Sequence, residues 1–214
     1  MVTQVPNSKS RAGKKQISQQ DLRRAILDAT LEECAVAGPQ EVSFREIARR
    51  LGVTTAAPYY HFRDKEEIFG ILHIEGFAKL LEALERGEAK GRTYAEKIKA
   101  MAVAYLNFGR KERGYYSIMF YREETKPLRC GPHKGLGLPC FDFICAGIAR
   151  AKPTLTSNEV SERAVSVWSF LHGMLVLSSA GPLSRLLAPA HEDRLAAEVC
   201  NRIIGTSDTP SQTT

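Results

Sequence analysis

The chain has 214 residues, of which 43% are hydrophobic and 25% charged, and its formal net charge is +6. This composition is ordinary for a globular protein, and the length can bury a full core in one or two domains. No apolar run is long enough to span a membrane and the N-terminus lacks an apolar signal core, so we expect the cytoplasm. Five cysteines without a C-x-x-C pair argue against a secreted disulfide framework.

The first 17 residues are polar, carry basic side chains and no acidic one, and are predicted to form a flexible arm. This arm can follow DNA phosphates or reach a minor groove, or it can serve only as a solvated tail. A helix is predicted over residues 18–37, and Gly38-Pro39 ends it. Its buried face is expected to comprise Leu22, Ile26, Ala29, Leu31 and Ala35.

The stretch from residue 42 to residue 65 contains the signals of two short helices joined by a tight turn. Ser43 followed by Glu46 is the pattern of a capping box, in which two side chains satisfy free amides at a helix start. Gly52 is suited to the left-handed residue that ends the first helix. Thr54 or Thr55 is then expected to cap a second helix that ends near residue 62. The apolar stripe of the first helix comprises Phe44, Ile47, Ala48 and Leu51.

Two short helices with a Gly-containing turn predict a helix-turn-helix, whose second helix can enter a DNA major groove. Pro58 fits the first turn of that helix, because its missing amide removes no intrahelical bond there. The alternative is a helical hairpin inside an all-α core, which would make the outward positions apolar or charged. DNA binding is favoured, because the second helix is rich in hydroxyl and aromatic side chains: Thr55, Ala56, Tyr59, Tyr60 and His61.

Helical periodicity continues beyond the head and predicts helices over residues 65–88, 94–108, 111–121, 139–151, 157–180 and 192–204. A Pro- and Gly-rich loop covers residues 123–138, and the tail after residue 205 is expected to be disordered. No strand signal stands out, so the predicted fold class is all-α. The expected domains are the arm at 1–17, a three-helix head at 18–65, a ligand-binding and dimerisation bundle at 66–205, and the tail at 206–214.

The segment from Arg24 to Lys65 closely resembles the DNA-binding domain of the TetR family of bacterial transcriptional regulators. The family pattern has IL-x-A in an opening helix, followed by a Gly, IA-x-x-x-GV and Y-x-HF-x-x-K. One departure is Pro58, where the family more often carries an aliphatic residue. The matching positions are Ile26-Leu27-x-Ala29, Gly38, Ile47-Ala48, Gly52-Val53, Tyr59-x-His61-Phe62 and Lys65.

The resemblance implies a role for individual residues of the head on DNA. It puts Arg45 and Thr55 on base edges, where an arginine can pair bidentately with guanine. Tyr60 would reach bases or backbone, and Ala56 can offer only methyl contact with thymine. His61 lies on the same surface but is expected to be more structural than contacting. The residues that would hold phosphates and fix the register are Ser43, Thr54, Tyr59 and Lys65.

The second half of the chain resembles a C-terminal domain type that carries a Trp-x-x-x-His-Gly signature, matched here by Trp168, His172 and Gly173. In the TetR family this domain is a helical bundle with an internal ligand cavity, and its last two long helices pair with those of a second subunit. A homodimer through residues 157–180 and 192–204 is therefore implied, with monomer core as the alternative for their apolar residues. Those residues are Val160, Ala164, Val167, Leu171, Leu175, Leu195 and Val199.

The implied pocket is lined by aromatic residues and a methionine with few polar groups, which suits a small, mostly apolar molecule. Plain core packing is the alternative for each residue, and His172 is expected to satisfy a buried hydrogen bond instead of touching a ligand. The candidates are Met101, Tyr105, Phe108, Tyr116, Phe120, Phe141, Trp168 and His172.

Other chemistry finds little support in the sequence. Cys130, His133, Cys140 and Cys145 lie near one another in the chain, but their spacing matches no standard structural zinc pattern and no activating neighbour is visible. The Gly-rich segment at 131–137 is not a P-loop, and no Ser-His-Asp or paired-carboxylate arrangement is recognisable. No metal, cofactor or enzymatic activity is therefore expected.

Together the motifs predict a regulator that binds double-stranded operator DNA as a homodimer. A repressor is expected, released when an effector tilts the helix after Lys65 and changes the separation of the two heads. Two alternatives stay open. One is a small-molecule binding protein that retains a helix-turn-helix scaffold, and the other is an activator without an effector.

Overall fold

The computed structural model describes residues 19–120, 138–179 and 181–205, and these ranges contain helices and turns with no strand. The all-α prediction is confirmed. The predictions made for the arm, for residues 121–137 and for the tail lie outside the described residues, and so do those for Cys130 and His133.

The head contains α1 (Gln19–Val36), a 3₁₀ turn (Pro39–Glu41), α2 (Phe44–Leu51) and α3 (Ala57–His61). Ile26, Leu27, Ile47 and Phe62 form its core, each at most 2% exposed. The core of the head thus draws on α1, on α2 and on the residue after α3, and it is continuous with the core of the bundle.

The predicted buried face of α1 needs one correction, because Ala35 is exposed to solvent. Leu27 and Cys34, seven residues apart, are buried instead, together with Thr30, whose hydroxyl donates to the carbonyl of Ile26 at 2.8 Å. The face turned towards the core is thus shifted by about one residue from the predicted face.

The bundle begins with α4 (Lys65–Glu88), whose predicted bounds are confirmed and whose first turn is capped by Asp64. Then follow α5 (Tyr94–Lys111), α6 (Arg113–Met119), α7 (Leu138–Ala151) and α8 (Ser157–Ser179). A short helix, α9 (Pro182–Leu186), was not predicted, and α10 (Pro189–Ile204) starts three residues earlier than expected. Both of these helices carry proline in the first turn, which favours a helix start.

Helix α5 runs through the bundle and packs against α4, α8 and α10, while α6 lies between α1 of the head and α4. The short α6 therefore contacts both α1 of the head and α4, the helix that connects the head to the bundle.

The apolar residues predicted to pair two subunits are mostly core residues of a single subunit. Val160, Ala164, Val167, Leu171 and Leu175 of α8 are all at most 7% exposed. The monomer-core alternative is therefore correct for these five. Of the other two predicted residues, Leu195 of α10 is exposed and Val199 is half-buried. The exposed large apolar residues of α8 are Val165, Trp168, Val176 and Leu177. The apolar stripe of α8 faces its own bundle because that bundle is closed by α5, α7 and α10.

Among the described helices, none combines the length and apolarity that crossing a lipid bilayer requires.

Candidate nucleic-acid interface and internal pocket

The turn between α2 and α3 depends on Gly52, which adopts the left-handed conformation with φ 67° and ψ 28°. Its amide donates to the carbonyl of Arg49 at 3.2 Å, and the amide of Val53 donates to the carbonyl of Ala48 at 3.0 Å. Only glycine adopts this φ without steric cost, so the predicted helix end is confirmed. The expected capping box is wrong, because the Ser43 side chain makes no capping bond and Glu46 pairs with Arg49.

The start of α3 also differs from the prediction. Its N-cap is Ala56, while Thr54 and Thr55 lie in the preceding turn, where the Thr54 carbonyl accepts from the Ala57 amide at 2.9 Å. A Thr55 cap would have to accept from the amide of Ala57 or Pro58, but the Ala57 amide donates to Thr54 and Pro58 has no amide. Pro58 does lie in the first turn, as expected, and its carbonyl accepts from Phe62.

The exposed side of the turn and of α3 presents hydroxyl groups to solvent. Tyr60 is 85% exposed and has no hydrogen-bond or ring partner within the described ranges, and Tyr59 is 61% exposed. The Tyr59 ring meets Phe44 edge-on at 5.2 Å between centroids, which holds it against the head. His61 is half-buried beside Phe62. The predicted DNA-contact residues that lie exposed on this part of the chain are Ser43, Thr54, Thr55, Ala56, Tyr59 and Tyr60.

The three arginines of α2 differ in their partners. Arg49 pairs with Glu46 on the same helix, and Arg50 pairs with Glu32 of α1. Arg45 is exposed and has no ion-pair partner among residues 19–120, 138–179 and 181–205. It is therefore the arginine of α2 whose guanidinium remains open to an external partner.

Lys65 is half-buried, unlike Arg45, and its ammonium group already has partners. It donates to the carbonyl of Gln40 at 3.2 Å and lies 5.2 Å from the centroid of the Phe69 ring. It also lines a surface cleft of about 290 Å³ together with Val42, Phe44, Tyr59, Arg63 and Asp64. An ammonium group has three donors, so a phosphate contact at this cleft stays a prediction.

In the bundle, four of the predicted pocket residues form one chain of hydrogen bonds, which we call the aromatic relay. The indole nitrogen of Trp168 donates to the hydroxyl of Tyr105 at 3.1 Å. The hydroxyls of Tyr105 and Tyr116 lie 3.3 Å apart, and that of Tyr116 lies 2.6 Å from Nδ1 of His172. If each hydroxyl donates towards His172, every proton along the relay has an acceptor, which assigns Nδ1 as the acceptor nitrogen. The relay joins α5, α6 and α8.

The aromatic relay is uncharged near neutral pH. Burial raises the pKa of Tyr105 to about 12, and burial together with the neighbouring Tyr105 hydroxyl raises the pKa of Tyr116. Burial lowers the pKa of His172 below its usual 6.5, which keeps the ring neutral and able to accept at Nδ1. The expectation that His172 satisfies a buried hydrogen bond is therefore confirmed.

Two small cavities lie beside the relay, of about 20 and 30 Å³. Each has room for about one water molecule, whereas ligand pockets measure about 300–1,000 Å³. The first is lined by Phe77, Leu80, Leu84, Tyr105, Phe120, Cys140, Phe141, Ile144 and Trp168. The second is lined by Leu84, Ile98, Met101, Ala102, Tyr105, Ile144, Ile148, Val167, Leu171 and Ile204.

Five of the eight predicted pocket residues line these cavities, namely Met101, Tyr105, Phe120, Phe141 and Trp168. Tyr116 and His172 contact them only through the relay and through Phe120, whose ring centroid lies 4.8 and 4.6 Å from theirs. Phe108 lies elsewhere, at a charged surface groove of about 360 Å³ between α4 and α5. Phe108 is three residues after Tyr105 on α5, a spacing that makes residues neighbours on a helix, so spacing alone does not separate the two.

Sequence reasoning missed the aliphatic residues shared by the two cavities, Leu84 and Ile144, because nothing distinguishes them from other core residues. Cys140 was noticed only as a possible metal or redox residue. Its thiol is buried and donates to the carbonyl of Phe77 at 3.4 Å, and burial raises the pKa of Cys140 to about 11. Within the described part of the chain, no group of three or more His, Cys, Asp and Glu side chains is placed to hold a metal ion.

Both halves of the chain match known protein families. A family model for bacterial regulatory proteins of the tetR family matches residues 26–70, and one for a tetracyclin repressor-like C-terminal domain matches residues 98–203. The chain belongs to the TetR family. Members of this family are transcriptional regulators, which confirms the expectation that the chain is not an enzyme.

Curated relatives of this TetR-family chain are named regulators. It is 21% identical over 156 residues to the HTH-type transcriptional regulator Rv1816 of Mycobacterium tuberculosis, an alignment that covers 69% of this chain and 66% of that protein. The chain thus spans slightly less than two thirds of that relative's length. Over 50 residues, 23% of each chain, it is 42% identical to the regulator AcrR of Shigella flexneri.

Solved structures share the fold of both halves. A protein of unknown function from Rhodococcus sp. RHA1 has a TM-score of 0.71 and 25% identity, with 90% of this chain and 98% of that one covered. A tetR-family regulatory protein from Rhodococcus RHA1 has a TM-score of 0.69 and 18% identity, with 87% and 98% covered. A SmeT–triclosan complex has a TM-score of 0.64 and 18% identity, with 90% and 98% covered.

Proposed function

We propose that this TetR-family regulator is a repressor that binds operator DNA as a homodimer and is released by a small, mostly apolar effector. The observation that carries the proposal is the exposed Arg45 at the start of α2, which has no ion-pair partner in the described residues, together with the exposed hydroxyls of Thr55 and Tyr60. A guanidinium left free on a helix-turn-helix is placed to read guanine, while Arg49 and Arg50 are engaged within the head.

The charge distribution of the head supports separate roles for the residues that read bases and the residues that contact phosphates. Residues 21–65 carry seven basic and seven acidic side chains, so the head has no net charge and bulk attraction cannot account for specific binding. Local cations must therefore position the DNA. Lys65 at the cleft beside Tyr59 is suited to phosphate contact, which fixes the register without reading sequence, whereas Arg63 in the same cleft is paired with Glu67.

A homodimer follows from the size of the recognition helix and from the exposed side of the bundle. Helix α3 has five residues and can read only a few base pairs, whereas a two-fold dimer reads two half-sites about one helical turn apart. Val165, Val176 and Leu195 on α8 and α10 are 48%, 49% and 37% exposed and are suited to the subunit interface. Leu195→Glu should dissociate the dimer on size-exclusion chromatography, while Ile74→Glu on α4, at a site 43% exposed, should not.

The route from effector to head runs through α6 in this proposal. Tyr116 belongs to the aromatic relay, while the preceding residue faces the head: the Tyr115 hydroxyl donates to Glu75 at 2.8 Å. Glu75 of α4 in turn accepts from Arg24 of α1 at 2.9 and 3.0 Å. Displacing Tyr116 therefore shifts a contact that spans α4 and α1, which suits an effector that changes the separation of the two heads.

The experiment that tests the proposal is fluorescence anisotropy of the purified chain on labelled DNA flanking its own gene, with a scrambled duplex as competitor and a salt series. Specific binding should be at least about a thousandfold tighter than binding to the scrambled duplex. Equal affinity for both duplexes, weakening together with salt, favours a small-molecule binding protein with a helix-turn-helix scaffold, provided that duplexes selected from random sequence also bind no tighter.

The size of the two cavities favours a second candidate, an activator or architectural binder without an effector. Cavities of about 20 and 30 Å³ admit no small molecule unless the bundle opens. If the chain is such a protein, it should bind DNA specifically and no apolar compound should weaken that binding. A reporter strain should then show activation instead of repression. The same anisotropy assay, run as a displacement screen, separates the two.

A further inference from the structure

The two cavities of the bundle lie on either side of one partition. Leu84, Tyr105 and Ile144 line both of them and are the walls that the two spaces share. Tyr105 is held in the partition by the indole of Trp168 and by the hydroxyl of Tyr116. Movement of the partition would join the two cavities into a single slot along α5.

The walls of this slot are uncharged. None of the described residues that line either cavity is Asp, Glu, Lys, Arg or His. The polar side-chain groups on the walls are the Tyr105 hydroxyl, the Trp168 indole and the Cys140 thiol, and each already has a partner within the protein. A buried ion in such a slot would have no counter-charge, and burying an unpaired ion is far more costly than burying a neutral group.

His172, whose ring contacts the wall residue Phe120, does not supply a charge either. His172 accepts from Tyr116, and burial lowers its pKa, so the imidazole is neutral when the relay is intact. Its protonation would turn Nδ1 into a donor and reverse the relay, which leaves the buried Tyr105 hydroxyl proton without an acceptor. The relay thus opposes protonation of His172, which would otherwise help to offset an anionic ligand.

We propose that the effector site of this chain selects molecules without formal charge, and that the bound molecule occupies both cavities after displacing the Leu84–Tyr105–Ile144 partition. The inference rests on the proposed function, since it specifies the ligand of the same site. The proposed site excludes carboxylates and ammonium compounds of similar size. A pocket with one buried charge would instead accept the ion of opposite sign. Recognition then comes from shape and from at most one neutral hydrogen bond to the relay.

Trp168 is the sole tryptophan of the chain and lines the first cavity, so its emission reports on the site in the full-length protein. Three probes of equal chain length and different charge are titrated at pH 7.5, below their aggregation limits: 1-octanol, octanoate and octylammonium. We expect a saturable emission change with 1-octanol, at a Kd at least tenfold lower than that of either ion. Equal or tighter binding of octanoate or octylammonium overturns the proposal, and so does the lack of a saturable change with 1-octanol.

A pair of variants places the probe in the slot. Ile144→Phe fills the partition and should raise the Kd for 1-octanol at least tenfold. Ile74→Phe makes the same exchange on α4 at a site that lines neither cavity and should leave that Kd within twofold. An unchanged Kd in the first variant, with its melting temperature intact, also overturns the proposal. If Ile144→Phe does not fold, the three-probe comparison on the unaltered chain still decides.

The outcome is separable from that of the proposed function, because DNA affinity is measured on the same samples. If the chain binds octanoate selectively and also binds DNA specifically, the inference about uncharged ligands is wrong and the proposed regulatory function stands. Selective binding of 1-octanol together with equal affinity for all duplexes keeps the neutral site and removes the proposed operator binding.

Discussion

The head and the bundle treat their candidate functional side chains in opposite ways. On the head, Arg45 and Tyr60 point into solvent without a partner in the described chain. In the bundle, Tyr105, Tyr116 and Trp168 bond to one another and to His172. An exposed polar group can hydrogen-bond to water until an external partner binds, whereas a buried polar group needs a hydrogen-bond partner within the protein. Substitutions should therefore change affinity on the head, and stability first in the bundle.

The largest expected effect comes from Glu192 of α10, whose side chain is 3% exposed and bonds to Arg110 at 2.7 Å. The hydroxyl of Ser178 also donates to it. Glu192→Ala removes one of the two counter-charges of Arg110, which keeps Asp193 at 2.6 Å, and also removes the acceptor of Ser178. Urea unfolding should therefore show a loss of about 3 kcal/mol. Glu198→Ala removes an exposed pair with Arg202 on the same helix and should cost less than about 0.5 kcal/mol. Equal losses would mean that the bundle does not depend on its buried pairs.

The next largest loss of stability is expected at Gly114 of α6, where the bundle packs against the head. A Cβ atom there would lie 2.3 Å from the carbonyl oxygen of Leu31 in α1, and backbone cannot move aside as a side chain can. Gly114→Ala should thus destabilise the protein by about 2–3 kcal/mol in a thermal or urea melt.

Gly147→Ala on α7 is the matched control for the junction variant. Its new methyl group meets only the end of Met101 at an ordinary 3.5 Å, so the variant should gain about 0.5–1 kcal/mol from the better helix former. If both alanines are tolerated equally, α6 does not pack tightly on the head, and the proposed route through α6 loses its basis.

On the head, Arg45→Ala should weaken operator binding by about 1–3 kcal/mol, relax the preference at one base pair and leave the melting temperature unchanged. Arg49→Ala should cost much less, because Arg49 is already paired with Glu46. Anisotropy against a set of single-base operator variants measures both effects. Arg45 would not read a base if Arg45→Ala weakened binding to every variant alike.

The smallest effect concerns the pH dependence of His172, whose pKa is lowered by burial in the folded state. The unfolded chain then takes up a proton near pH 6.5 while the folded chain stays neutral. The contribution to stability is therefore complete above pH 6.5 and is lost as the pH falls towards the folded pKa. His172→Asn keeps an acceptor for Tyr116 but does not titrate, so its stability should fall less than that of the parent between pH 7 and pH 5. Parallel curves in urea unfolding would show that His172 does not contribute in this range.

Two identical local patterns show where sequence reasoning meets its limit. Ser43-x-x-Glu46 and Thr93-x-x-Glu96 both have capping-box spacing, and the box forms only at Thr93, where both capping bonds are present. At Ser43 the Glu46 carboxylate bonds to Arg49 instead. Sequence spacing shows that two groups can meet, but competition from a third side chain decides whether they do.

The turn at Gly52, the position of Pro58 and the bounds of α4 were predictable from the amino-acid sequence, because they depend on neighbours within a few residues. Five of the residues that line the cavities were predictable as well, since aromatic residues at helical spacing are conspicuous. The outward face of α8, the position of Phe108 outside the two cavities, and the sharing of Leu84, Tyr105 and Ile144 between them were not predictable. Those outcomes depend on which helices close the bundle, and helices far apart in the chain meet through packing that no local pattern records.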